Sequence, residues 1–326
     1  LRMLGLKINI QCKYQDFIMT TRYTNLPDNK DKPFGGAYSV HDAVTVDYVS
    51  HVIHEYTECL IKPDLIREEF VDVYKQWLPS TQNFKGFEKF TEGCFTQGTT
   101  ESFAQFYIRY RNSKRLRLAK GEYFYHQMMH GLWYRGAFAW LDEDDIKAGD
   151  VLLLSVPFAD TGAVPYNLEE LLNECDHKNV HVMLDLAYVN LAVGLDINFE
   201  HPCIKYVVSS LSKAFPVENH RVGIRLQREK DKFEDQLYVI NEKGYNYINL
   251  LSAYIGKEMM KNFEANYIYN KYTFAQDYYC NRYDVEKSPC VYFGIDHNNK
   301  YPVYNRGNDT NRLCFSRIWD GRKDEV

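Results

Sequence analysis

Lys213 lies in the run Ser209-Ser210-Leu211-Ser212-Lys213, and Arg221 follows eight positions later. An amine set among hydroxyls, with a guanidinium a fixed step beyond, suits a lysine that must react and a phosphate that must be held. A surface lysine in a serine-rich turn has the same composition, so the flanking elements carry the distinction. Tyr206-Val207-Val208 reads as a buried strand that delivers Ser210, Ser212 and Lys213 at its end. Val222-Gly223-Ile224 reads as another short strand just past the arginine.

Further elements bring other polar groups to comparable places. Gly93 to Glu101 reads as a small-residue turn opening a helix through Phe103, Phe106 and Tyr107; Thr99 stands where a nucleotide P-loop needs lysine. Free N–H groups and the helix dipole still make such a turn an anion site, at Gly98, Thr99 and Thr100. Val151–Val156 and Val180–Asp185 are short apolar runs, and an amphipathic helix with an asparagine cap spans Asn167–Cys175 between them. With a third strand over Ile204–Ser210, this spacing predicts a parallel sheet buried on both faces, with ligands beyond the carboxyl ends of its strands. Asp185, Ser210 and Lys213 all fall at such ends. Helices are expected over about 43–60, 64–77 and 243–263, and a short strand at Leu116–Ala119.

Taken in order, these segments resemble the fold-type I pyridoxal-phosphate enzymes, the aspartate aminotransferase superfamily of class I/II. The resemblance runs from about residue 77 to the end. It rests on the Gly98-Thr99 turn, the aromatic Tyr123, the turn Thr161-Gly162, Asp185-Leu-Ala-Tyr188, Ser210-Leu-Ser212-Lys213 with Arg221, and Arg312 near the terminus. It implies an α/β fold: a large domain (45–240) with a mostly parallel sheet flanked by helices, and a small α+β domain from 241–326 joined by the arm 1–44. It also implies pyridoxal 5′-phosphate held as a Schiff base by Lys213. Gly98, Thr99, Thr100, Ser210, Ser212 and Arg221 would bind the phosphate. Tyr123, or else Phe124 or Tyr125, would stack on the ring. Asp185 would keep the ring nitrogen protonated, Tyr188 would bond the ring's phenolic oxygen, and Arg312 would grip a substrate α-carboxylate. Lys213, once displaced, would carry a proton from the substrate.

The implied function is an aminotransferase moving the amino group of an α-amino acid to a keto acid, in a homodimer. A lyase, decarboxylase or cyclase on the same fold is the alternative. Three positions depart from the pattern: Ala159 replaces an asparagine, Pro216 a glycine, and Trp77 stands where relatives offer a tyrosine to a neighbouring subunit. Arg22, Arg135, Arg225 and His220 are candidates for a second carboxylate, and Arg317 lies outside the matched pattern.

Composition bounds the remaining classes. The chain has 326 residues, 45% hydrophobic and 25% charged, with a net charge of −5, which gives no general reason to bind nucleic acid or anionic membrane. Six cations between Arg109 and Lys120 form the one basic stretch. A non-catalytic relative using it to hold nucleic acid is the rival of another class; a solvated helix end and a strand are the plainer reading. Eight scattered cysteines without a C-x-x-C pair predict reduced thiols and a cytoplasmic protein. Leu1–Ile10 is short and interrupted for a signal peptide, and no apolar run approaches ~20 residues. His51, His54 and Glu55 lack the order of a zinc protease, so no metal is expected.

Overall fold

Strands buried on both faces explain how the main sheet forms. The computed structural model describes residues 36–56, 63–112, 114–126, 138–229 and 248–319. Its elements begin with α1 (Ala43–Glu55), α2 (Pro63–Trp77), β1 (Asn83–Lys85), β2 (Glu92–Gln97), α3 (Thr99–Tyr110), β3 (Leu116–Leu118) and β4 (Phe138–Trp140). β5 (Val151–Ser155), α4 (Leu168–His177), β6 (His181–Asp185), β7 (Asp196–Asn198), β8 (Ile204–Ser210) and β9 (Val222–Gln227) follow. The chain continues with α5 (Leu250–Asn262), α6 (Tyr267–Tyr283), β10 (Glu286–Lys287), β11 (Phe293–Asp296) and β12 (Asn311–Cys314).

Seven strands make the central sheet in the order β2-β9-β8-β6-β5-β3-β4. β9 runs antiparallel to both neighbours, and the other pairs are parallel. Alternate side chains serve two separate cores. Val151, Leu153, Met183, Tyr206 and Val208 pack with Phe103, Phe106 and Tyr107 of α3. Leu152, Leu154, Val182, Leu184 and Val207 point the other way, into the core shared with α2 and α5. A separate three-stranded antiparallel sheet, β10-β11-β12, packs with α6 in an aromatic core that includes Tyr272, Tyr279, Phe293, Phe315 and Trp319. Ala37, Val40, Ala159 and Tyr188 join this second core. The molecule is thus α/β, with a mostly parallel central sheet flanked by helices and a small sheet apart from it.

Several local expectations change. Gly93–Gln97 is strand rather than turn: β2 is an edge strand completed by β9, and isolated strand pattern is weak there. β9 extends to Gln227. α5 starts at Leu250, where the Asn249 side chain accepts the Ser252 N–H; the expected start near 243 lies outside the described residues. α1 ends at Glu55, and residues 57–60 of the longer expected helix also lie outside them. Asn167 stands at the N-cap position of α4 without a side-chain capping bond.

Three of the six cations in the basic stretch pair with one acidic loop. Arg115 pairs with Asp144 and Asp150, Arg117 is buried against Asp150, and Lys120 pairs with Asp142 and Glu143. Among the described residues no helix is long and apolar enough to cross a membrane.

Candidate active site

Two turns meet at the carboxyl ends of the strands and build an anion cradle. The backbone at Gly98 (φ 71°, ψ 175°) is one that essentially only glycine adopts. It ends β2 and opens α3, and Glu101 Oε2 accepts the Gln97 N–H at 2.7 Å across that corner. Arg221, itself left-handed at φ 56°, comes from the turn between β8 and β9. Its Nη2 donates to Thr100 Oγ1 at 3.0 Å, and its Nη1 to the Glu218 carbonyl at 3.2 Å. A Cβ on Gly223 would meet Gly98 Cα at 2.8 Å, so the two turns approach as closely as backbone allows. Ser210 Oγ donates to the Val222 carbonyl at 3.0 Å and lies 2.8 Å from Ser212 Oγ. The α3 N-terminus, Arg221 and the two hydroxyls therefore share one corner, with Thr99 buried beside them.

A Cβ at position 98 would collide with the Arg221 guanidinium, approaching Cζ to 2.9 Å. Gly98→Ala is thus expected to cost about 1–3 kcal/mol of stability. It should also weaken pyridoxine 5′-phosphate binding at least ~10-fold, through lost charge-assisted contacts. Calorimetry with pyridoxine 5′-phosphate and with pyridoxine separates the phosphate effect from a general loss.

Lys213 follows at the end of the same strand. Burial pushes its ammonium down to about 8, partly offset by Cys314 and reinforced by Arg312. About a tenth of such an amine is unprotonated at pH 7, against roughly 0.03% for an ordinary lysine. Its Nζ donates to the Ala37 carbonyl and lies 6.0 Å from the ring centroids of both Tyr38 and Tyr188. Asp185, at the end of β6, is buried, and its Oδ1 accepts the Ala187 N–H at 3.1 Å. Burial, then Glu122, lift its carboxyl to about 8, while the Ala187 bond and Lys213 lower it. The carboxylate expected to be ionised thus keeps its proton near neutrality until a cation pairs with it.

Tyr188 is buried, and its hydroxyl is pushed up to about 12 by desolvation against the opposing pull of Arg312 and Arg306. Tyr123 is 39% exposed. Burial raises its hydroxyl, Asp185 raises it further and Arg221 lowers it, so the hydroxyl lies within electrostatic reach of both. Tyr125 stacks on it at 6.0 Å, and Phe124 is exposed, so Tyr123 is the ring of the three that faces Asp185 and Arg221.

Arg312, on β12, is buried with its guanidinium 4.3 Å over the Phe293 ring, and its Nη1 donates to the Ala159 carbonyl. Gly162 allows this approach, because a Cβ there would meet Cys290 Cβ at 2.6 Å. Ser288 Oγ donates to the Thr161 carbonyl at 2.7 Å, so the Thr-Gly turn docks the small sheet onto the large one.

Other positions read differently in three dimensions. Trp77 is buried and donates its indole N–H to the Phe263 carbonyl at 2.8 Å, a core role that leaves nothing to offer a neighbour. Arg225 is buried on β9 over the Tyr206 ring at 5.5 Å, on a different sheet from Arg312. Arg22 and Arg135 lie outside the described residues. The His220 carbonyl accepts from Ser252, which ties its turn to α5. Arg317, expected outside the site, lies 4.2 Å over the Tyr38 ring.

Four groups had no sequence signal. The segment 37–41 closes over Lys213: Ser39 Oγ and His41 Nε2 bond the two Glu218 carboxylate oxygens at 2.7 and 2.6 Å. Tyr292 donates its hydroxyl to the Lys213 carbonyl at 2.7 Å and accepts the Val40 N–H at 3.1 Å. Arg306 Nη2 donates to the Glu122 carbonyl at 3.2 Å, its Nε lies 3.5 Å from Asp160 Oδ1, and its guanidinium feels the charge of Arg312. Glu122 is buried behind Tyr123.

Comparison with known proteins bears on the fold and on one segment of the chain. Residues 138–267, which include β4 through β9 and Lys213, match the family model for aminotransferase class I and II. No curated protein sequence matches the chain. Among solved structures, it is similar to an aminotransferase from Staphylococcus aureus (12% identity, TM-score 0.66, covering 92% of this chain and 96% of that one). It is also similar to an aromatic aminotransferase from Pyrococcus horikoshii OT3 (11%, 0.63, 89% and 93%). L-threonine-O-3-phosphate decarboxylase from Porphyromonas gingivalis is another relative in fold (14%, 0.58, 88% and 96%). The chain is thus similar in fold to these aminotransferase structures, and its residues 138–267, under half of its length, match aminotransferase class I and II in sequence.

Proposed function

We propose that this chain is a pyridoxal 5′-phosphate-dependent aminotransferase that transfers the amino group of an α-amino acid to a keto acid, working as a homodimer. The observation that carries the reading is the convergence of three groups. Lys213, an amine held near pKa 8, lies close to buried Asp185, and the Gly98/Arg221 cradle shares the same strand ends. The cofactor fits these residues, because the absent side chain at Gly98 lets the Arg221 guanidinium approach the N-terminus of α3, where cation and free N–H groups together suit a phosphate. When bound, it supplies an electron sink for a bond broken at the substrate Cα.

The protein's own residues do the rest. Thr99, Thr100, Ser210, Ser212 and Arg221 would hold the phosphate. Tyr123 would cover the ring and Asp185 would keep a proton at its nitrogen. Tyr188 would bond its phenolic oxygen. Lys213 Nζ would hold the cofactor and, when free, would accept the proton from Cα. Arg312 orients the substrate through its α-carboxylate. The packing of Ala37 and Val40 with residues 268–319 supports a small domain built from the arm (1–44) and 241–326, beside a large domain at 45–240.

Incubating the protein with pyridoxal 5′-phosphate and a panel of amino acids tests the reading. Loss of yellow absorbance with formation of pyridoxamine 5′-phosphate supports it, and absence of that product with every amino acid refutes it. A second reading, a lyase, decarboxylase or cyclase, is favoured by Ala159, whose methyl offers no hydrogen bond where the resembling family has an asparagine. Release of carbon dioxide or of a side-chain fragment without pyridoxamine 5′-phosphate would select it.

Arg312→Lys keeps the charge and loses the planar fork. Losing one charge-assisted hydrogen bond of about 1.5–3 kcal/mol predicts a fall in kcat/KM of roughly 10–150-fold for amino acids. Cofactor colour should be retained. An unchanged kcat/KM, or equal reactivity toward amines lacking a carboxylate, would show that the anchor lies elsewhere.

A further inference from the structure

Glu122 is a fully buried carboxyl that the proposed chemistry does not use. Three donors meet on it. The Ser155 N–H reaches Oε1 at 2.7 Å, and the Ser155 hydroxyl and the Tyr123 N–H reach Oε2 at 2.7 and 3.2 Å. Backbone N–H groups can only donate. Ser155 Oγ accepts the Ala159 N–H at 2.9 Å, which leaves its own proton directed at Glu122. Three inbound donors on its two oxygens favour the ionised form of the carboxyl. Burial works the other way and raises its pKa, with the Ser155 bonds, the Tyr123 bond and Arg306 opposing.

Ser155 links this charge to the site. It is the register partner of Asp185 across the parallel strands β5 and β6, at the strand ends. Neighbouring strands lie about 4.8 Å apart, so the Glu122 charge stands just behind Asp185. The other charged groups around the pair are Lys213, Arg306 and Arg312, with Asp160 beside Arg306. The phenols of Tyr74, Tyr123 and Tyr188 stay protonated, and His126 is held neutral by burial at about 3.

We propose that Glu122 is a positioning residue whose fixed charge, held through Ser155, makes the Asp185 end of the pocket select a protonated ring nitrogen over an uncharged ring. The proposal rests on the cofactor reading and deepens it. A ring nitrogen entering the site takes the proton that Asp185 holds, and the resulting cation then faces two carboxylates instead of one. A ring without that nitrogen leaves Asp185 protonated and gains nothing from Glu122.

Calorimetric binding of 4-deoxypyridoxine 5′-phosphate, and of its analogue with carbon in place of the ring nitrogen, tests this without turnover. The ratio of the two affinities is expected to fall about tenfold in Glu122→Gln, one unit of proton affinity, with the carbon analogue bound as before. An unchanged ratio, or equal losses for both ligands, overturns the proposal and leaves Glu122 as structural support. Infrared spectroscopy of the unmodified protein serves even if the variant fails to fold. The protonated-carboxyl band of Asp185 should vanish on binding the nitrogen ligand and persist with the carbon one; persistence with both overturns the proposal. If the nitrogen ligand does not bind at all, the cofactor reading falls and this inference with it. Normal binding without discrimination removes only the role of Glu122.

Discussion

Lys213→Ala is expected to bind pyridoxal 5′-phosphate without covalent attachment and to lose at least ~10³-fold in turnover, since both the nucleophile and the proton carrier disappear. Borohydride reduction and peptide mapping should fix the cofactor to Lys213 in the unmodified protein and to no lysine in the variant. A label on another lysine would remove the basis of the functional reading. The pH dependence adds a sharper check. Burial holds the Lys213 ammonium at about 8, so attachment should rise with pH through a midpoint near 8 rather than near the ordinary lysine value. The folded pKa lies below the unfolded one, so the unfolded chain binds more protons between about 8 and 10.5. Stability of the cofactor-free protein should increase with pH across that window, and Lys213→Met should abolish the increase.

Asp185→Ala is expected to keep the fold and lose on the order of 10²-fold or more in rate, because no charge then holds the proton on the ring nitrogen. Undiminished turnover would contradict the assignment. The stability effect has the opposite sign. Burial and Glu122 raise the Asp185 carboxyl to about 8, so the folded state binds the extra proton between about pH 4 and 8. Stability of the cofactor-free protein should fall as pH rises through that window. Asp185→Asn should flatten the fall and leave the variant more stable than its parent at pH 8, as denaturant titrations across pH would show. A variant that is inactive yet more stable at pH 8 is the signature of a buried carboxyl kept for chemistry.

The placement of residues within one short segment was legible from residue order alone. Ser210, Ser212, Lys213 and Arg221 share a single strand and turn, so their spacing along the chain largely sets their spacing in space. The apolar runs ending at Ser155, Asp185 and Ser210 likewise betrayed a buried parallel sheet, because strands covered on both faces must be continuously apolar. What only the tertiary structure decided depends on contacts between distant segments. Ala37 meets Lys213 across 176 positions and Arg306 reaches Glu122 across 184, and no local period encodes such pairs. The direction of β9, the strand at β2 and the core role of the Trp77 indole follow from what packs beside them. The proton on Asp185 belongs to the same class. Its residue type says carboxylate, but burial and the neighbouring Glu122, a residue 63 positions earlier in the chain, set its charge. Ionisation in a low-dielectric interior is determined by which groups the fold brings within a few ångströms, and that is a property of the packed molecule.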